Sequence, residues 1–270
     1  MNNNIIKKIK SLPPLDDTVV MIQRISTDKN SSMQDLVKVV ERDPMLTANI
    51  LKSANSPLYG FSKEIKDVSR AISLFGMATI RGFALSSAIK ENIKIDLSPY
   101  NIINQKFLDI SMTQSVLMFK WYSKVDRNML DILQPASFMM EVGKLIISHE
   151  LIERGKADEF KKLLEEDATL QNLTKLEKDM VGFTSEEITA KIFNQWNLEE
   201  ELIKSIEFSN DPEKADQHIQ EYSKALHVVK NSANIFGILR DEQKERSFKL
   251  LKEYGLNPAP YEKALKQLDI

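Results

Sequence analysis

The segment FMMEVGKLIISHE, Phe138 to Glu150, places two groups capable of chemistry in an apolar setting. Glu141 and His149 could bind a metal ion or transfer a proton, and their neighbours have the composition of a buried helix. A plainer explanation competes with catalysis. Glu141 with Lys144 has i,i+3 spacing and His149 with Glu153 has i,i+4 spacing, both typical of ion pairs on a helix surface. The segment is therefore a candidate active site, with surface ion pairing as the favoured interpretation.

A metal site built on histidine has little support in this sequence. The histidines are His149, His218 and His227, and a metal ion needs several ligands within about 2 Å. His218 and His227 are nine residues apart, which at about 100° per residue places them on opposed parts of a helix. No His-Glu-x-x-His motif, Gly-x-Ser-x-Gly elbow or P-loop occurs. The absence of cysteine excludes disulfides, thiolate ligands and cysteine nucleophiles.

A helix, glycine turn and helix are predicted at 69–85, with Arg70 and Arg81 nearby, and this arrangement invites a DNA-binding interpretation. A recognition helix presents several polar or basic side chains to base edges. The second helix instead carries apolar residues, which are Ala78, Ile80, Phe83, Ala84 and Leu85. It is suited to packing, and the net charge of −2 supplies no overall attraction to nucleic acid. Nucleic-acid binding is therefore disfavoured.

The composition is that of an ordinary folded protein. Of 270 residues, 42% are hydrophobic and 28% charged, which disfavours disorder. No run approaches the roughly 18 apolar residues of a membrane span, and the N-terminus lacks the apolar core of a signal peptide. We expect a cytoplasmic protein with no membrane partner.

Almost every segment has helical periodicity, so the predicted fold is all-α. Ser31 or Ser32 is expected to cap a helix through 33–42, and Asp43 to cap the next, with Pro44 at its first position. Further amphipathic stretches are predicted at 68–75, 78–90, 104–124, 129–154, 158–166, 176–181, 185–195, 199–208, 217–236, 242–253 and 261–268. Polar and proline-containing breaks lie at 95–101 and 209–217.

Several motifs together resemble the HDOD domain. They are LPPL at 12–15, VVERDPMLTANILKSANSPLYG at 39–60, IKDVSRAISLFGMATIRGFAL at 65–85 and ITAKIFNQWNLEEELIKSI at 188–206. The resemblance implies an N-terminal extension at 1–11, an HDOD-like domain at 12–212 with halves at about 12–97 and 98–212, and packed C-terminal helices at 213–270. It also implies a helical bundle related to the HD superfamily of metal-dependent phosphohydrolases, with an N-terminal helical half packed on an HD-like half.

By similarity, the His-Asp doublet of the catalytic relatives falls on Met140 and Glu141. Other ligand positions fall on Ile110, Ser185, Phe208 and Ser209, none of which is a histidine. The resemblance thus implies a lost metal site, no cofactor and no catalysis. Because three of these residues, Ile110, Met140 and Phe208, are apolar, we expect the old site to be filled by packing. Glu141 is expected to reach solvent, Lys144 or a donor such as Ser185.

The expected function is non-enzymatic bacterial signalling, through binding of a regulatory or signalling protein. The alternative is a sensor that binds a nucleotide or other small anion in the vestigial cleft. Candidate binding residues are Asn55, Tyr59, Arg70, Arg81 and Lys144. Asn55 is more simply explained as a helix end, because Asn readily adopts the left-handed conformation there. A DNA-binding regulator and a metal-dependent phosphohydrolase rank lower.

Overall fold

The fold is presented as a computed structural model. It describes residues 2–59, 61, 63–92 and 96–268, without the side chains of 2, 3 and 90–92. Gly60, expected in a turn, and Ile95, at the predicted break, lie outside the described residues.

The described residues are predominantly helical, as the sequence predicted. The α-helices are α1 (Asn2–Lys10), α2 (Asp17–Thr27), α3 (Met33–Val40), α4 (Pro44–Ala54), α5 (Val68–Phe75), α6 (Met77–Asn92), α7 (Asn104–Tyr122), α8 (Leu130–Met139), α9 (Gly143–Glu153), α10 (Ala157–Glu166), α11 (Leu170–Val181), α12 (Ser185–Gln195), α13 (Glu200–Glu207), α14 (Gln217–Ser232), α15 (Asp241–Glu253) and α16 (Pro258–Lys266). Short 3-10 turns lie at Pro57–Tyr59, Ser98–Tyr100, Arg127–Met129 and Pro212–Lys214. A two-residue hairpin, β1 (Ala233–Asn234) and β2 (Gly237–Ile238), pairs antiparallel after α14.

The helix starts follow local capping chemistry. Ser32 and Asp35 form a capping box on α3, and the Asp43 carboxylate accepts the Leu46 N–H at 2.9 Å ahead of Pro44. These caps satisfy backbone donors that the first turn of a helix leaves free. The predicted starts of α3 and α4 are therefore confirmed, with Ser32 rather than Ser31 as the cap.

Three sequence predictions differ from the structure. Helices α1 and α2 were not predicted, and α1 buries Ile5 and Ile9 within the 1–11 extension. The 129–154 stretch is two helices, because the chain breaks between Met139 and Gly143. The 217–236 stretch ends as a helix at Ser232 and continues into the β-hairpin. The break at 140–142 matters most, because it contains Glu141.

The N-terminal and C-terminal helices share one apolar core. The N-terminal helices pack through α6 onto α8, while α14 packs on α7, α8 and α13, and α16 packs on α7. A contiguous apolar core extends from Ile5 to Leu268. The residues after 212 therefore contribute to the interior around α7 and α8. The division of the HDOD-like domain into two halves at about residue 97 stays a prediction.

Among the described residues, no single helix has the length and apolar content of a membrane span. Helix α5 and most of α6 meet the criterion only together, and they are bent by 112° at Gly76.

Candidate functional site

The break between α8 and α9 presses against α12. The Gly143 N–H donates to Thr189 Oγ1 at 2.9 Å, and a Cβ on Gly143 would lie 1.9 Å from the Ser185 carbonyl oxygen. Only glycine permits this approach without displacing backbone. The close contact holds the chain around Gly143, including Glu141 and Lys144, against the interior.

Glu141 and Lys144 form an ion pair inside the protein. Glu141 Oε2 lies 2.5 Å from Lys144 Nζ, and the two residues are 2% and 1% exposed. The Gln114 amide donates to Glu141 Oε1 at 3.0 Å and to the Ala233 carbonyl at 2.8 Å. The interpretation of Glu141 and Lys144 as an ion pair on a helix surface was therefore wrong, because both are buried. The expected contact between Glu141 and Lys144 is present.

A second buried pair links α12 to α14. Lys230 Nζ donates to Glu186 Oε1, and both side chains are at most 3% exposed. Lys230 also donates to Asn210 Oδ1 at 2.8 Å. One ammonium group thus satisfies a carboxylate and an amide oxygen in the interior.

Glu177 adds a third buried carboxyl group. Its Oε2 accepts the Ser185 N–H at 2.7 Å, and its Oε1 accepts the Tyr100 hydroxyl at 3.0 Å. The Lys144 Nζ lies 5.9 Å from the centre of the Tyr100 ring. Glu141, Lys144, Glu177, Glu186 and Lys230 are called the ion-pair cluster below.

Burial and charge shift the pKa values of the cluster in different directions. Burial favours the neutral form of Glu141, but Lys144 and Lys230 outweigh it, so the pKa of Glu141 is lowered. Burial likewise opposes the charge of Lys144, yet the surrounding carboxylates raise its pKa. Both members of this pair are therefore charged at neutral pH.

Glu177 and Glu186 are shifted apart. Burial, joined by repulsion from Glu186, raises the pKa of Glu177 to about 7, against the attraction of Lys144 and Lys230. Burial also acts on Glu186, but Lys230 and Lys144 lower its pKa to about 2. When Glu177 is protonated, below about pH 7, two ammonium groups face two carboxylates and the cluster is electrically neutral.

The cluster does not offer the ligand set of a divalent metal. In the described part of the chain, no three His, Asp or Glu side chains converge as metal ligands. Glu141 and Glu186 each bind an ammonium group, and Glu177 binds two hydrogen-bond donors. A metal ion would have to compete with these charges at close range.

The sequence profile of the HDOD domain matches residues 12–212. This chain belongs to the HDOD domain family. A virulence factor from Campylobacter jejuni subsp. jejuni has a similar structure, with 26% identity, a TM-score of 0.61, and 99% of this chain and 97% of that one covered. An HDOD domain protein of unknown function from Geobacter sulfurreducens has 16% identity and a TM-score of 0.63, with 100% and 98% covered.

Two further proteins are similar to this chain over only part of their own length. A candidate signal transduction protein from Marinobacter aquaeolei VT8 has a TM-score of 0.71 at 21% identity, covering 96% of this chain and 57% of that one. An uncharacterized protein of Treponema pallidum (strain Nichols) is 26% identical over 83 residues, which are 31% of this chain. That match spans only 16% of the Treponema protein.

The HDOD resemblance identified the location of the cluster but few of its members. Ile110, Met140, Ser185 and Ser209 are buried, each at most 1% exposed. Ser209 donates to the Ile206 carbonyl, and half-buried Phe208 lies under Lys204, with Nζ 5.5 Å from the ring centre. The expected filling of the site by apolar packing stays a prediction, and the sequence analysis did not anticipate the ion pairs that lie beside Glu141. The assignment of Ile110, Met140, Glu141, Ser185, Phe208 and Ser209 to former ligand positions stays a prediction.

Sequence reasoning missed Gln114, Glu177, Glu186 and Lys230. Gln114 lies one helical turn beyond Ile110, and Glu186 directly follows Ser185, so the resemblance came within a few residues of both. Lys230 lies beyond the HDOD match, and no sequence signal distinguished it from the other lysines.

The candidate binding residues do not converge. Lys144 is in the cluster, Arg70 is exposed, and buried Arg81 pairs with Glu199 and donates to Gln23 Oε1 at 2.6 Å. Asn55 bonds both the carbonyl and the N–H of Ile65, at 2.9 and 2.8 Å. Its φ of −89° corrects the expected left-handed conformation, although the contacts support a structural role.

Other expectations fit the structure. His149 Nε2 lies 2.7 Å from Glu153 Oε1, and the two side chains are 42% and 48% exposed, as in a surface pair. In α6, Ile80, Ala84 and Leu85 are buried, as expected of a helix suited to packing. Tyr59, named above only as a candidate binding residue, packs on Phe75 with 4.5 Å between ring centres.

Proposed function

We propose that this HDOD chain is a non-enzymatic bacterial signalling protein that acts in the cytoplasm by binding a regulatory protein. The partner classes that fit this role are a regulator, a kinase or a second-messenger enzyme. Family membership supports a signalling role, and a structural relative is a candidate signal transduction protein. The ion-pair cluster supports the proposed loss of catalysis.

The observation that carries this proposal is the pair of buried lysines, Lys144 and Lys230. Metal-dependent phosphohydrolysis needs divalent ions held by several ligands with open positions for water. Here each ammonium group already neutralises a carboxylate at close range. A divalent ion added beside them would be repelled strongly in the low dielectric of the interior. The charge requirement of the buried carboxylates is thus met by the protein itself.

The metal-free proposal is tested on purified protein by elemental analysis and by hydrolysis assays with cyclic dinucleotides and nucleotide phosphates. We expect less than stoichiometric metal and no turnover above a heat-denatured sample. About one or two bound ions per chain, the stoichiometry of mono- and di-metal sites, would contradict the proposal.

A surface on α2 supports the interaction role. Val20 and Met21 are 49% and 45% exposed, although α2 also buries Val19 and Ile22. Val20 borders a shallow cavity of about 310 Å³ whose apolar wall includes Leu15, Trp196 and Leu198. Exposed apolar side chains beside such a depression are typical of protein-binding surfaces.

Affinity capture from the source cell tests this surface, with bound proteins quantified by mass spectrometry. We expect Val20→Asp to lose a partner that the wild-type chain retains. The matched control is Ile103→Asp, because Ile103 is 72% exposed and precedes α7. Equal capture by the wild type and both variants would contradict a role for the α2 surface.

The sensor alternative has weaker support at the vestigial site. Glu141 is 2% exposed and held by Lys144 and Gln114. A nucleotide or anion would have to break the ion-pair cluster to reach it, leaving buried charges unpaired at a cost of several kcal/mol. We therefore favour the interaction module.

A further inference from the structure

Helix α1 lies in a groove between α9 and α12. Its two core residues, Ile5 and Ile9, are one helical turn apart and both are buried. Helices α9 and α12 pack closely beneath them, since the Gly143 N–H of α9 donates to Thr189 Oγ1 of α12 at 2.9 Å. An amphipathic helix whose apolar residues lie in such a groove is a recurring mode of protein recognition.

A buried carboxylate on α9 contacts the polar side of α1. Asn4 Nδ2 donates to Glu150 Oε1 and Oε2 at 3.0 and 2.9 Å, and Lys8 Nζ donates to Glu150 Oε2 at 2.5 Å. Lys8 also donates to Glu153 Oε2 at 2.6 Å. Asn4 and Lys8 are one turn apart, beside the isoleucine stripe. The groove therefore recognises two features of a helix at fixed spacing, an apolar stripe and a neighbouring amine.

The charge at the rim of the groove suits a basic helix. Besides Glu150 and Glu153, the charged or titratable groups there are Arg154, which pairs with Glu150, and His149, which bonds Glu153. Burial opposes the charge of Glu150, but hydrogen bonds from α1 and the charge of Arg154 outweigh it and lower its pKa. With α1 displaced and His149 neutral, Arg154 balances one of the two carboxylates. One negative charge then remains for an incoming cation.

The connection between α1 and α2 allows α1 to leave the groove. Pro13 and Pro14 prevent a continuous helix, and the Pro13 carbonyl accepts the Trp196 indole N–H at 3.1 Å, which holds the connection in place. Helix α1 has nine residues, and helices shorter than about 12 residues are marginal on their own, so released α1 unfolds. The HDOD match begins at residue 12 and includes α9 and α12. Helix α1 thus covers a surface of the family domain from outside it.

We propose that the α9–α12 groove binds a basic amphipathic helix of a partner protein, and that α1 occupies the groove in the free chain as an intramolecular competitor. The partner helix carries two apolar residues one turn apart, with a lysine directly before the second. This is the pattern of Ile5, Lys8 and Ile9. The inference rests on the proposed interaction role, but it uses a different surface from Val20 and Met21 of α2.

The competition between α1 and a partner helix has an expected size. A short connection gives α1 an effective concentration of about 1–10 mM at the groove. A separate peptide with the α1 sequence must fold as it binds, so we expect a Kd of about 0.1–1 mM for an empty groove. These values favour docked α1 by about ten-fold, so the peptide should bind the wild type about ten-fold more weakly than a chain with an empty groove.

The probe is the peptide NNNIIKKIK, residues 2–10, acetylated and amidated to remove its terminal charges. It is titrated into isotope-labelled full-length chain and followed by NMR. The full-length double variant Ile5→Asp, Ile9→Asp supplies the empty groove, because aspartate at these positions opposes burial of α1. Shifts should saturate at residues of α9 and α12, with the ten-fold difference in Kd between this variant and the wild type.

The matched control ligand is the same peptide with Lys8→Glu, which keeps both isoleucines and reverses one charge. It should bind the double variant at least about five-fold more weakly. Adding Glu150→Gln to the double variant should remove most of the difference between the two peptides, because Lys8 then loses its main partner. Equal binding of the two peptides to the double variant would overturn the basic partner.

Release of α1 is measured separately in a chain with both native aspartate-free positions but one thiol. The sequence has no cysteine, so Ile9→Cys provides a single labelling site. Docked α1 should slow its labelling only about ten- to a hundred-fold relative to the unfolded chain, and added peptide should reverse much of that protection. Ile22→Cys is the control, because Ile22 is equally buried inside α2. Its labelling should be slowed more than about a thousand-fold and should not respond to the peptide.

Equal protection of Ile9→Cys and Ile22→Cys, unchanged by peptide, would overturn the displacement of α1, and this result decides the question even where the double variant unfolds. Absence of saturable shifts at α9 and α12 in a folded double variant would overturn the groove as a binding site. A wild-type dimer in sedimentation that the peptide dissociates would make a second copy the occupant and overturn the partner helix. None of these results alters capture by the α2 surface, so the two proposals fail separately.

Discussion

Lys230 of α14 donates to Glu186 of α12 across 44 residues of sequence, and neither side chain is more than 3% exposed. Lys230 lies outside the HDOD match, so a residue beyond the family domain completes a charge cluster within it. The helices after residue 212 are therefore part of the electrostatic structure of the interior.

Lys230→Met should destabilise the protein by about 3–5 kcal/mol, because it leaves Glu186 buried without its partner. Urea denaturation at pH 7.5 measures the change. Lys224→Met on the same helix is the control, since the Lys224–Glu213 pair is partly exposed and should contribute less than about 1 kcal/mol. Adding Glu186→Gln to Lys230→Met should recover part of the loss. Equal small effects of Lys230→Met and Lys224→Met would show that Lys230 is solvated.

Glu177→Gln should stabilise the protein above pH 7. The pKa of Glu177 rises from 4.5 to about 7 on folding, so between these values the folded state holds a proton that the unfolded state releases. The contribution of Glu177 to the free energy of unfolding therefore falls as pH rises from 4.5 to about 7. Since one pKa unit corresponds to about 1.4 kcal/mol, the fall amounts to a few kcal/mol. Glutamine imitates the protonated carboxyl group.

The free energy of unfolding of the wild type and Glu177→Gln, measured from pH 5 to 8, tests this assignment. The difference should be small at pH 5 and grow in favour of the variant as pH rises. A variant less stable by a constant amount at every pH would show that Glu177 is charged throughout.

Asn55→Ala should lower stability by about 1–3 kcal/mol. The side chain joins the end of α4 to Ile65 through both its amide and its carbonyl, and alanine leaves these backbone groups without partners. Thermal unfolding measures the loss. An unchanged melting temperature together with lost partner capture would instead indicate that Asn55 acts directly in binding.

Gly143→Ala should destabilise by more than about 2 kcal/mol, because its Cβ would lie 1.9 Å from the Ser185 carbonyl oxygen and force α9 away from α12. Gly82→Ala is the matched control inside α6, where the nearest atoms would lie 3.5 Å from the new Cβ. That change should be neutral or stabilising, since alanine favours helix. Calorimetry distinguishes the two variants. Similar melting temperatures would show that the α9–α12 contact can relax.

The local chemistry of the sequence determined the helical fold. Periodic apolar residues, the Asp43 cap and Pro44 act over a few residues, so α3 and α4 could be predicted. The HDOD motifs are also local strings, and they were sufficient to identify the family. The break at 140–142 was missed because its residues continue the apolar pattern on both sides.

Tertiary structure alone decided what occupies the candidate site. In the sequence, Glu177, Glu186 and Lys230 are ordinary charged residues of amphipathic helices, with no motif to connect them. Packing of α11, α12 and α14 buries all three, and burial turns weak surface charges into groups that must be paired. Since burial and partners depend on helices far apart in the chain, local spacing carries no information about either.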